Sequence, residues 1–385
     1  MFAIVVVCYN RLDGMLRTLE SVKAAQYMGD DVALIVSIDK SDKQDVLCAA
    51  ANRFEWPFGP KVVRRFPERQ GLRAHVLQCG DLTDNYEAVI VLEDDITVAE
   101  GFYSYTKQTV DFYGNNESIF GISLYAHQTN PGCQRPFFPA ANGYDTYLMQ
   151  YAQSWGQCWT SNMWRGFRDW YSKQKGDMEA DGIIPQYIAN WNDKSWLKYY
   201  IKYTVEKNGY FVYPYASLST NNSDKGEHCT VSNNDYQVTM LEGCPKYRFP
   251  TMEQAVKYDV YYERIIDQEN IFPEIPGKRL LDLYGMRTDF GDADVLISTQ
   301  SLPYQVLRSI QLKYRPHEAN CRYPVDGDGI FIYDLHQKAQ PPKSDKHLCI
   351  RYDVRSISWR MLMLEAYEQA SFGLCNKIGN IFKRE

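Results

Sequence analysis

The chain has 385 residues and a formal net charge of −6, an acidic balance that argues against binding to a nucleic-acid backbone. Its composition, 45% hydrophobic and 23% charged, is ordinary for a soluble protein, and the length allows two domains. The 10 cysteines form no C-x-x-C pair, which favours reduced thiols over disulfides or a zinc finger. With no leader pattern and no run of about 18 apolar residues, we expect a cytoplasmic protein.

Strand and helix patterns alternate along the first third of the chain. The predicted strands are residues 2–7, 32–38 and 61–66, and the predicted helices are residues 12–22, 42–54 and 72–82. This alternation predicts an α/β fold with a mostly parallel sheet and right-handed crossovers.

The next strand pattern, AVIVLEDD at residues 88–95, ends in three acids. Its apolar part predicts a strand that is buried on both faces, and open α/β sheets bind ligands at the carboxyl ends of such strands. Alternation along a strand would put Glu93 and Asp95 on one face and Asp94 on the other. Carboxylates of this kind suit Mg2+ or Mn2+, with phosphate oxygens completing the shell. Arg11 and Asp39 follow the first two strands and should reach the same edge.

The later patterns predict helices at 101–113 and 191–208, strands at 119–124 and 210–219, and a Trp-rich helix ending at 170. The pattern weakens near residues 243–250, which predicts a catalytic domain over 1–244 and a C-terminal α/β extension over 245–385. Within the extension we expect helices at 252–266 and 303–312, strands at 279–283, 293–299 and 329–335, and a terminal helix over 354–382.

Three motifs together resemble a glycosyltransferase of the A fold, which has a Rossmann-like, mostly parallel sheet. They are Tyr9-Asn10-Arg11, Ser37-Ile38-Asp39 and VLEDDITVAEGFYSY at residues 91–105. The pattern is similar to N-acetylglucosaminyltransferase I and to bacterial family 2-like enzymes that build capsule and O-antigen chains. Such bacterial enzymes also carry a Ser-Trp-Gly block, here Ser154-Trp155-Gly156. The resemblance covers residues 1 to about 230.

The resemblance implies a role for each matched residue. Tyr9 and Arg11 would approach the nucleotide diphosphate or base, and Asp39 would contact uracil or ribose. Glu93 and Asp94 would face the nucleoside and the sugar, with Trp155 and Gly156 also in the donor site. Asp95 would bind a Mn2+ or Mg2+ ion that bridges the diphosphate, and His228 lies where a downstream histidine of the relative approaches that metal.

One position departs from the pattern of the N-acetylglucosaminyltransferase relative. Its Trp-Asp-Asp element, which supplies the general base, falls on Trp196-Leu197-Lys198, where no acid is present. An inverting transfer needs a base within about 3 Å of the acceptor hydroxyl. Asp193 is our first candidate, with Glu227 and Asp181 as alternatives.

These motifs predict a metal-dependent, inverting hexosyltransferase that moves a sugar from a nucleotide donor, UDP-linked, to a glycan or lipid-linked glycan in bacterial surface polysaccharide synthesis. One alternative is an inactive glycosyltransferase-like protein that serves as a glycan-binding or assembly subunit. A sugar-phosphate nucleotidyltransferase is a weaker alternative, because CYNRLDGM lacks the glycine-rich basic loop that holds a triphosphate. For residues 245–385 an acceptor-side role and a homodimer contact are both open. The basic and apolar C-terminus suggests peripheral contact with the inner face of the cytoplasmic membrane.

Overall fold

The structure is a computed structural model. It describes residues 1–174, 178, 182–192, 194–224, 236–266, 271–343, 346–354 and 358–381. The strands, in chain order, are β1 (Phe2–Cys8), β2 (Val32–Ile38), β3 (Lys61–Arg65), β4 (Ala88–Glu93), β5 (Ile96–Val98), β6 (Ile119–Ser123), β7 (Thr129–Asn130), β8 (Arg135–Pro136), β9 (Thr146–Met149), β10 (Gln157–Thr160), β11 (Tyr210–Pro214), β12 (Ser219–Asn221), β13 (Lys257–Tyr258), β14 (Arg279–Asp282), β15 (Val295–Ser298), β16 (Tyr304–Gln311) and β17 (Gly329–Lys338).

The helices accompany these strands in the alternation that the sequence predicts. They are α1 (Leu12–Lys23), α2 (Gln44–Arg53), α3 (Leu72–Gly80), α4 (Phe102–Tyr113), α5 (Ser161–Tyr171), α6 (Gln186–Ala189), α7 (Leu197–Glu206), α8 (Ala319–Arg322), α9 (Lys346–Val354) and α10 (Trp359–Ile381). A 3-10 turn, Asp81–Asp84, follows α3.

A nine-stranded sheet with the order β13-β9-β11-β6-β10-β4-β1-β2-β3 forms the centre of the described chain. The four strands at one end, β4, β1, β2 and β3, are parallel neighbours, whereas β10 runs antiparallel to β4 and β6. All seven residues of β1 and of β2 are buried, as expected for strands covered on both faces. The predicted α/β fold with a mostly parallel sheet is confirmed.

The crossovers place the helices on both faces of this sheet. Because the β1–β2–β3 connections advance in one direction and the β3–β4 connection returns, right-handed crossovers put α1 and α2 on one face and α3 on the other. Tyr27, just after α1, packs its ring on Phe102 and Tyr103 of α4. On the α3 side, the Trp164 indole of α5 donates a hydrogen bond of 2.8 Å to Asp81.

A smaller sheet with the order β14-β15-β17-β16 has its own apolar core, which begins at Ile266. Residues 257–258 pair with β9 and so extend the large sheet past residue 244, where the sequence predicts the domain boundary. Tyr258 and Tyr262 belong to the first core. We therefore propose a boundary near residue 266.

Two secondary-structure predictions in the extension are wrong. Residues 304–311 form strand β16 and not a helix, because Tyr304, Val306 and Ile310 recur at a period of two. Residues 252–266 form turns around the short strand β13 and not a helix. The terminal helix is present as α10. None of the helices in the described part of the chain combines the length and apolarity needed to span a bilayer.

Candidate donor site

The carboxyl ends of β1, β2 and β4 meet at one edge of the large sheet, as the strand pattern predicts. Tyr9 and Arg11 follow β1, Asp39 follows β2, and Asp94 and Asp95 follow β4. We call these residues, together with Glu93, the acid edge. Sequence reasoning brought them together correctly because parallel strands end on the same side of a sheet.

Arg11 is the cation at the centre of the acid edge. Its Nε lies 2.8 Å from Asp94 Oδ1, its Nη2 contacts the same oxygen, and its Nη1 lies 3.1 Å from Asp95 Oδ2. The predicted alternation of Asp94 and Asp95 is wrong, because β4 ends at Glu93 and residues 94–95 form a turn. One guanidinium can therefore contact both carboxylates.

Asp94 is held in place by the protein itself. It is 3% exposed, and its Oδ2 accepts a hydrogen bond of 3.4 Å from the Tyr9 backbone N–H. Burial raises the pKa of Asp94 to about 6, although the Arg11 guanidinium acts in the opposite direction. These contacts favour a role for Asp94 in positioning Arg11, while its predicted contact with the nucleoside or the sugar stays a prediction.

Asp95 has one carboxylate oxygen to which the described part of the chain donates no hydrogen bond. Oδ2 faces Arg11, whereas Oδ1 is buried and has no hydrogen-bond partner among the described residues. A buried polar atom of this kind is costly unless a ligand satisfies it. The Asp95 main chain is fixed separately, because its carbonyl accepts a hydrogen bond of 2.8 Å from Asn222 N. The aspartate is thus oriented with an anionic oxygen that the described residues leave unsatisfied, which suits a divalent cation.

Glu93 is the last residue of β4 and is partly buried. Burial, together with the nearby Asp95 and Asp94 carboxylates, raises the pKa of Glu93 to about 8. This side chain is therefore largely protonated at neutral pH until a cation offsets the repulsion.

The residues of the acid edge fit a metal that is shared with a substrate. Among the described residues, no group of three or more His, Cys, Asp or Glu side chains forms a metal-binding cluster. Asp95 Oδ1, with Glu93 near it, supplies few ligands, so a bound Mg2+ or Mn2+ would need phosphate oxygens and water for the rest of its shell.

Asp39 has a structural role that the sequence pattern does not predict. Its Oδ1 accepts hydrogen bonds from the backbone N–H groups of Lys40 (2.7 Å) and Gln70 (2.8 Å), and its Oδ2 accepts one from Gly71 (2.9 Å). The side chain thereby fixes the turn that begins α3. A contact with uracil or ribose stays a prediction.

Gly14 was missed in the sequence, although it fixes the distance between α1 and the acids. A Cβ at this position would lie 2.5 Å from the carbonyl oxygen of Asp94. Only glycine permits so close an approach of the helix to the turn. A glycine inside an otherwise amphipathic helix is the signal that could have found it.

Trp155 lies half-buried in an aromatic group beside the acid edge. Its ring packs on Tyr125 at 4.8 Å and on Tyr236 at 4.7 Å between centroids. Gly156 follows with φ +95° and leads into β10, which pairs with β4. Tyr236 and Tyr125 were missed because they are distant in the sequence.

Two buried polar side chains, Gln153 and His127, fix the loop that carries Trp155. Gln153 Oε1 accepts hydrogen bonds from the backbone N–H groups of Ser154 (2.7 Å) and Trp155 (3.0 Å). Gln153 Nε2 donates to His127 Nε2 at 2.9 Å, so this imidazole nitrogen is the acceptor. Burial lowers the pKa of His127 to about 3, which keeps it neutral in this role.

Several predicted residues lie outside the described residues: the general-base candidates Asp193, Glu227 and Asp181, and the metal-ligand candidate His228. At the position of the relative's acid, Trp196 and Lys198 are both buried, and Lys198 Nζ donates a hydrogen bond of 3.0 Å to the Trp191 carbonyl. The identity of the base therefore stays a prediction.

No protein-family model and no curated protein matches the chain. Solved structures of glycosyltransferases are similar to part of it. S. aureus TarS in complex with UDP-GlcNAc has a TM-score of 0.38 at 11% identity, over 59% of this chain and 60% of that one. GalNAc-T7 with UDP, GalNAc and Mn2+ has a TM-score of 0.39 at 14% identity, over 57% and 43%. The mannosyltransferase PcManGT from Pyrobaculum calidifontis, in complex with GDP-Man and Mn2+, has a TM-score of 0.31 at 12% identity, over 47% of this chain and 49% of that one.

The chain thus spans 43 to 60% of the length of these three structures. Identities this low and TM-scores below 0.5 do not define a function, so the functional inference depends on the acid edge itself.

Proposed function

We propose that the chain is a metal-dependent glycosyltransferase that moves a sugar from a nucleotide diphosphate donor, UDP-linked, to a glycan acceptor with inversion. The observation that carries this proposal is Asp95 Oδ1, a buried carboxylate oxygen that no described residue satisfies with a hydrogen bond, beside a fixed guanidinium. An anionic oxygen and a cation side by side at the end of a parallel sheet suit a diphosphate and its metal.

Each residue of the acid edge then has a chemical task. Asp95, with Glu93, would hold the ion, which when bound supplies Lewis-acid stabilisation of the leaving diphosphate. Arg11 adds a positive charge that does not titrate, and its planar donors match phosphate oxygens. Asp94 orients Arg11, and Gly14 keeps α1 against the same turn. The Trp155 group offers apolar ring faces to a sugar and excludes water.

The biological setting is proposed on sequence resemblance. A bacterial capsule or O-antigen chain would be the acceptor, lipid-linked in the cytoplasm, and the donor would come from the UDP-sugars.

The test is UDP binding by isothermal titration calorimetry with and without Mn2+. We expect the wild-type protein to bind UDP in a Mn2+-dependent manner and Asp95→Asn to lose that dependence. Asp84→Asn is the matched control, because Asp84 precedes the opposite end of β4 from the acids and forms an exposed ion pair with Arg165. UDP binding by Asp95→Asn that equals the wild-type affinity in Mn2+ would refute the proposal.

An inactive glycan-binding subunit is the second candidate, and the buried Lys198 in place of an acid favours it. Hydrolysis of UDP-sugars with Mn2+ in the absence of acceptor separates the two. Release of UDP supports the enzyme, whereas an inert protein that still binds UDP and glycan supports the subunit.

A further inference from the structure

Gln157 is a buried polar residue to which the sequence resemblance gives no role. It is the first residue of β10, and it is 0% exposed. Neither its amide nitrogen Nε2 nor its amide oxygen Oε1 has a hydrogen-bond partner among the residues that the structure describes. A buried amide in this state is unfavourable, and native proteins seldom keep one unless water or a ligand satisfies it.

The other buried glutamines of the described chain use their amides to stabilise the fold. Gln44 donates a hydrogen bond of 2.8 Å to a backbone carbonyl, and Gln150 donates one of 2.8 Å to Asn208. Gln153 accepts hydrogen bonds from two backbone N–H groups. No comparable structural contact within the described residues explains an amide at position 157.

Strand pairing places Gln157 beside the acid edge. β10 runs antiparallel to β4, with Gln157 opposite Val91, which is two residues before Glu93. Paired residues of neighbouring strands share a face of the sheet, and so do residues two apart on one strand. Gln157 and Glu93 are therefore diagonal neighbours on one face, at a separation of about 7–8 Å that long side chains can span. Because β10 also pairs with β6 through Ser123, the backbone of Gln157 is held from both sides.

The order of the strands indicates which part of a donor would lie near Gln157. Along the large sheet β2, β1, β4 and β10 are successive neighbours, at spacings of about 4.8 Å. They lead in turn to Asp39, Arg11, the acids and Gln157. A nucleotide sugar has its diphosphate between the nucleoside and the sugar. With the diphosphate at Arg11 and Asp95 and the nucleoside toward Asp39, the sugar extends toward β10.

An uncharged amide suits the sugar better than it suits the diphosphate. The amide of Gln157 has two N–H donors and an acceptor oxygen, and a sugar hydroxyl can both donate and accept. Phosphate oxygens bind more strongly to a cation or a guanidinium, which the acid edge already provides. A buried amide also selects among sugars, because a sugar that lacks the matching hydroxyl leaves the amide unpaired.

We propose that Gln157 is a specificity-determining residue that hydrogen-bonds a hydroxyl or acetamido group of the transferred sugar. This inference rests on the proposed function, since it requires a nucleotide sugar at the acid edge. Gln157 would bind and select the sugar and would take no part in proton transfer.

The test is calorimetric binding in Mn2+ of UDP, UDP-glucose, UDP-galactose, UDP-GlcNAc and UDP-GalNAc to the wild type and to Gln157→Met. Methionine keeps the length of the side chain without its amide. We expect the wild type to prefer one of the four sugars. Gln157→Met should bind that UDP-sugar about three- to tenfold more weakly, as expected for one lost hydrogen bond, and should bind UDP with the wild-type affinity.

Urea denaturation of the metal-free protein separates a ligand-binding role from a structural one. Gln157→Met should keep or raise the urea midpoint, because no described residue loses a hydrogen bond. Thr160→Val is the matched control on the same strand. Thr160 Oγ1 is also buried without a hydrogen-bond partner in the described part of the chain, but Thr160 pairs with Ala88, at the opposite end of β4 from the acids. Thr160→Val should bind all five nucleotides as the wild type does.

The two proposals fail in different ways. A wild type that binds no UDP in Mn2+ would refute the proposed function and the role of Gln157 with it. A wild type that binds the four UDP-sugars without preference, or a Gln157→Met protein that keeps the wild-type preference, would overturn the role of Gln157 alone. Equal weakening of UDP and all four UDP-sugars, or a lowered urea midpoint, would also overturn it, because either result would assign the amide to the fold.

Discussion

The acid edge and the helix α10 depart from ordinary protein surfaces in opposite directions. At the acid edge, charged groups are buried around Arg11, and one oxygen of Asp95 has no hydrogen-bond partner within the part of the chain that the structure describes. In α10, apolar groups are left in water. Both arrangements cost free energy in the isolated chain. A bound cation with a phosphate would offset the cost at the acid edge, and an apolar partner surface would offset it at α10. An unsatisfied buried oxygen identifies the first surface, and exposed apolar side chains identify the second.

The contrast between the two regions requires that the charges of the acid edge stabilise one another, and Arg11 tests this most strongly. Arg11→Ala leaves Asp94 and Asp95 buried without a cation, so we expect a loss of about 3 kcal/mol or more in the free energy of unfolding. Urea denaturation measures it. Arg165→Ala removes an exposed pair with Asp84 and should cost less than about 1 kcal/mol. Equal losses in the two variants would mean that the acid edge is an ordinary surface cluster.

Gly14 tests how tightly the backbone defines the acid edge. Gly14→Ala puts a methyl group 2.5 Å from the Asp94 carbonyl oxygen, and we expect a loss of about 1–3 kcal/mol together with weaker UDP binding in Mn2+. Gly373→Ala is the control, since nothing lies within 4 Å of its Cβ position and alanine favours a helix. A fully stable Gly14→Ala protein would contradict the close approach.

Glu93 gives the acid edge a pH dependence with a definite sign. Its folded pKa of about 8 is raised above the ordinary value of 4.5, so the native state holds its proton more tightly than the unfolded state. Stability from this group is fully present below about pH 4.5 and is lost as pH rises through 8, by at most about 1.4 kcal/mol per pH unit.

We therefore expect the metal-free wild type to become less stable between pH 6 and 8.5, and Glu93→Gln to show a flatter profile in urea denaturation with EDTA. Mn2+ should reduce the slope of the wild type, because a bound cation favours the ionised carboxylate. A wild-type profile that rises over this range would contradict the assignment.

The smallest effect is expected at Trp155, whose ring is held between Tyr125 and Tyr236. Trp155→Phe keeps an aromatic surface and should change transfer less than tenfold, whereas Trp155→Ala should lower it further with UDP binding retained. Initial rates at varied acceptor concentration measure both variants. Equal rates for the two variants would mean that the ring has no role in sugar transfer.

The parts of the fold that depend on burial were predictable from the sequence, and the parts that depend on neighbours were not. The apolar runs of β1, β2 and β4 fix the sheet, and the acids at the end of β4 fix its functional edge. The strand β16 was mistaken for a helix because its alternation includes Arg308 on a partly exposed face. The structural roles of Asp39 and Gly14 depend on contacts with backbone atoms more than 30 residues away. A local sequence pattern cannot predict such contacts.

The most direct test of the central claim is anomalous diffraction at the manganese edge from crystals grown with MnCl2 and UDP. We expect a peak within direct coordination distance of Asp95 Oδ1, with the UDP diphosphate on its other side and Arg11 beside it. A manganese peak and an ordered UDP both remote from Asp95 would contradict the account.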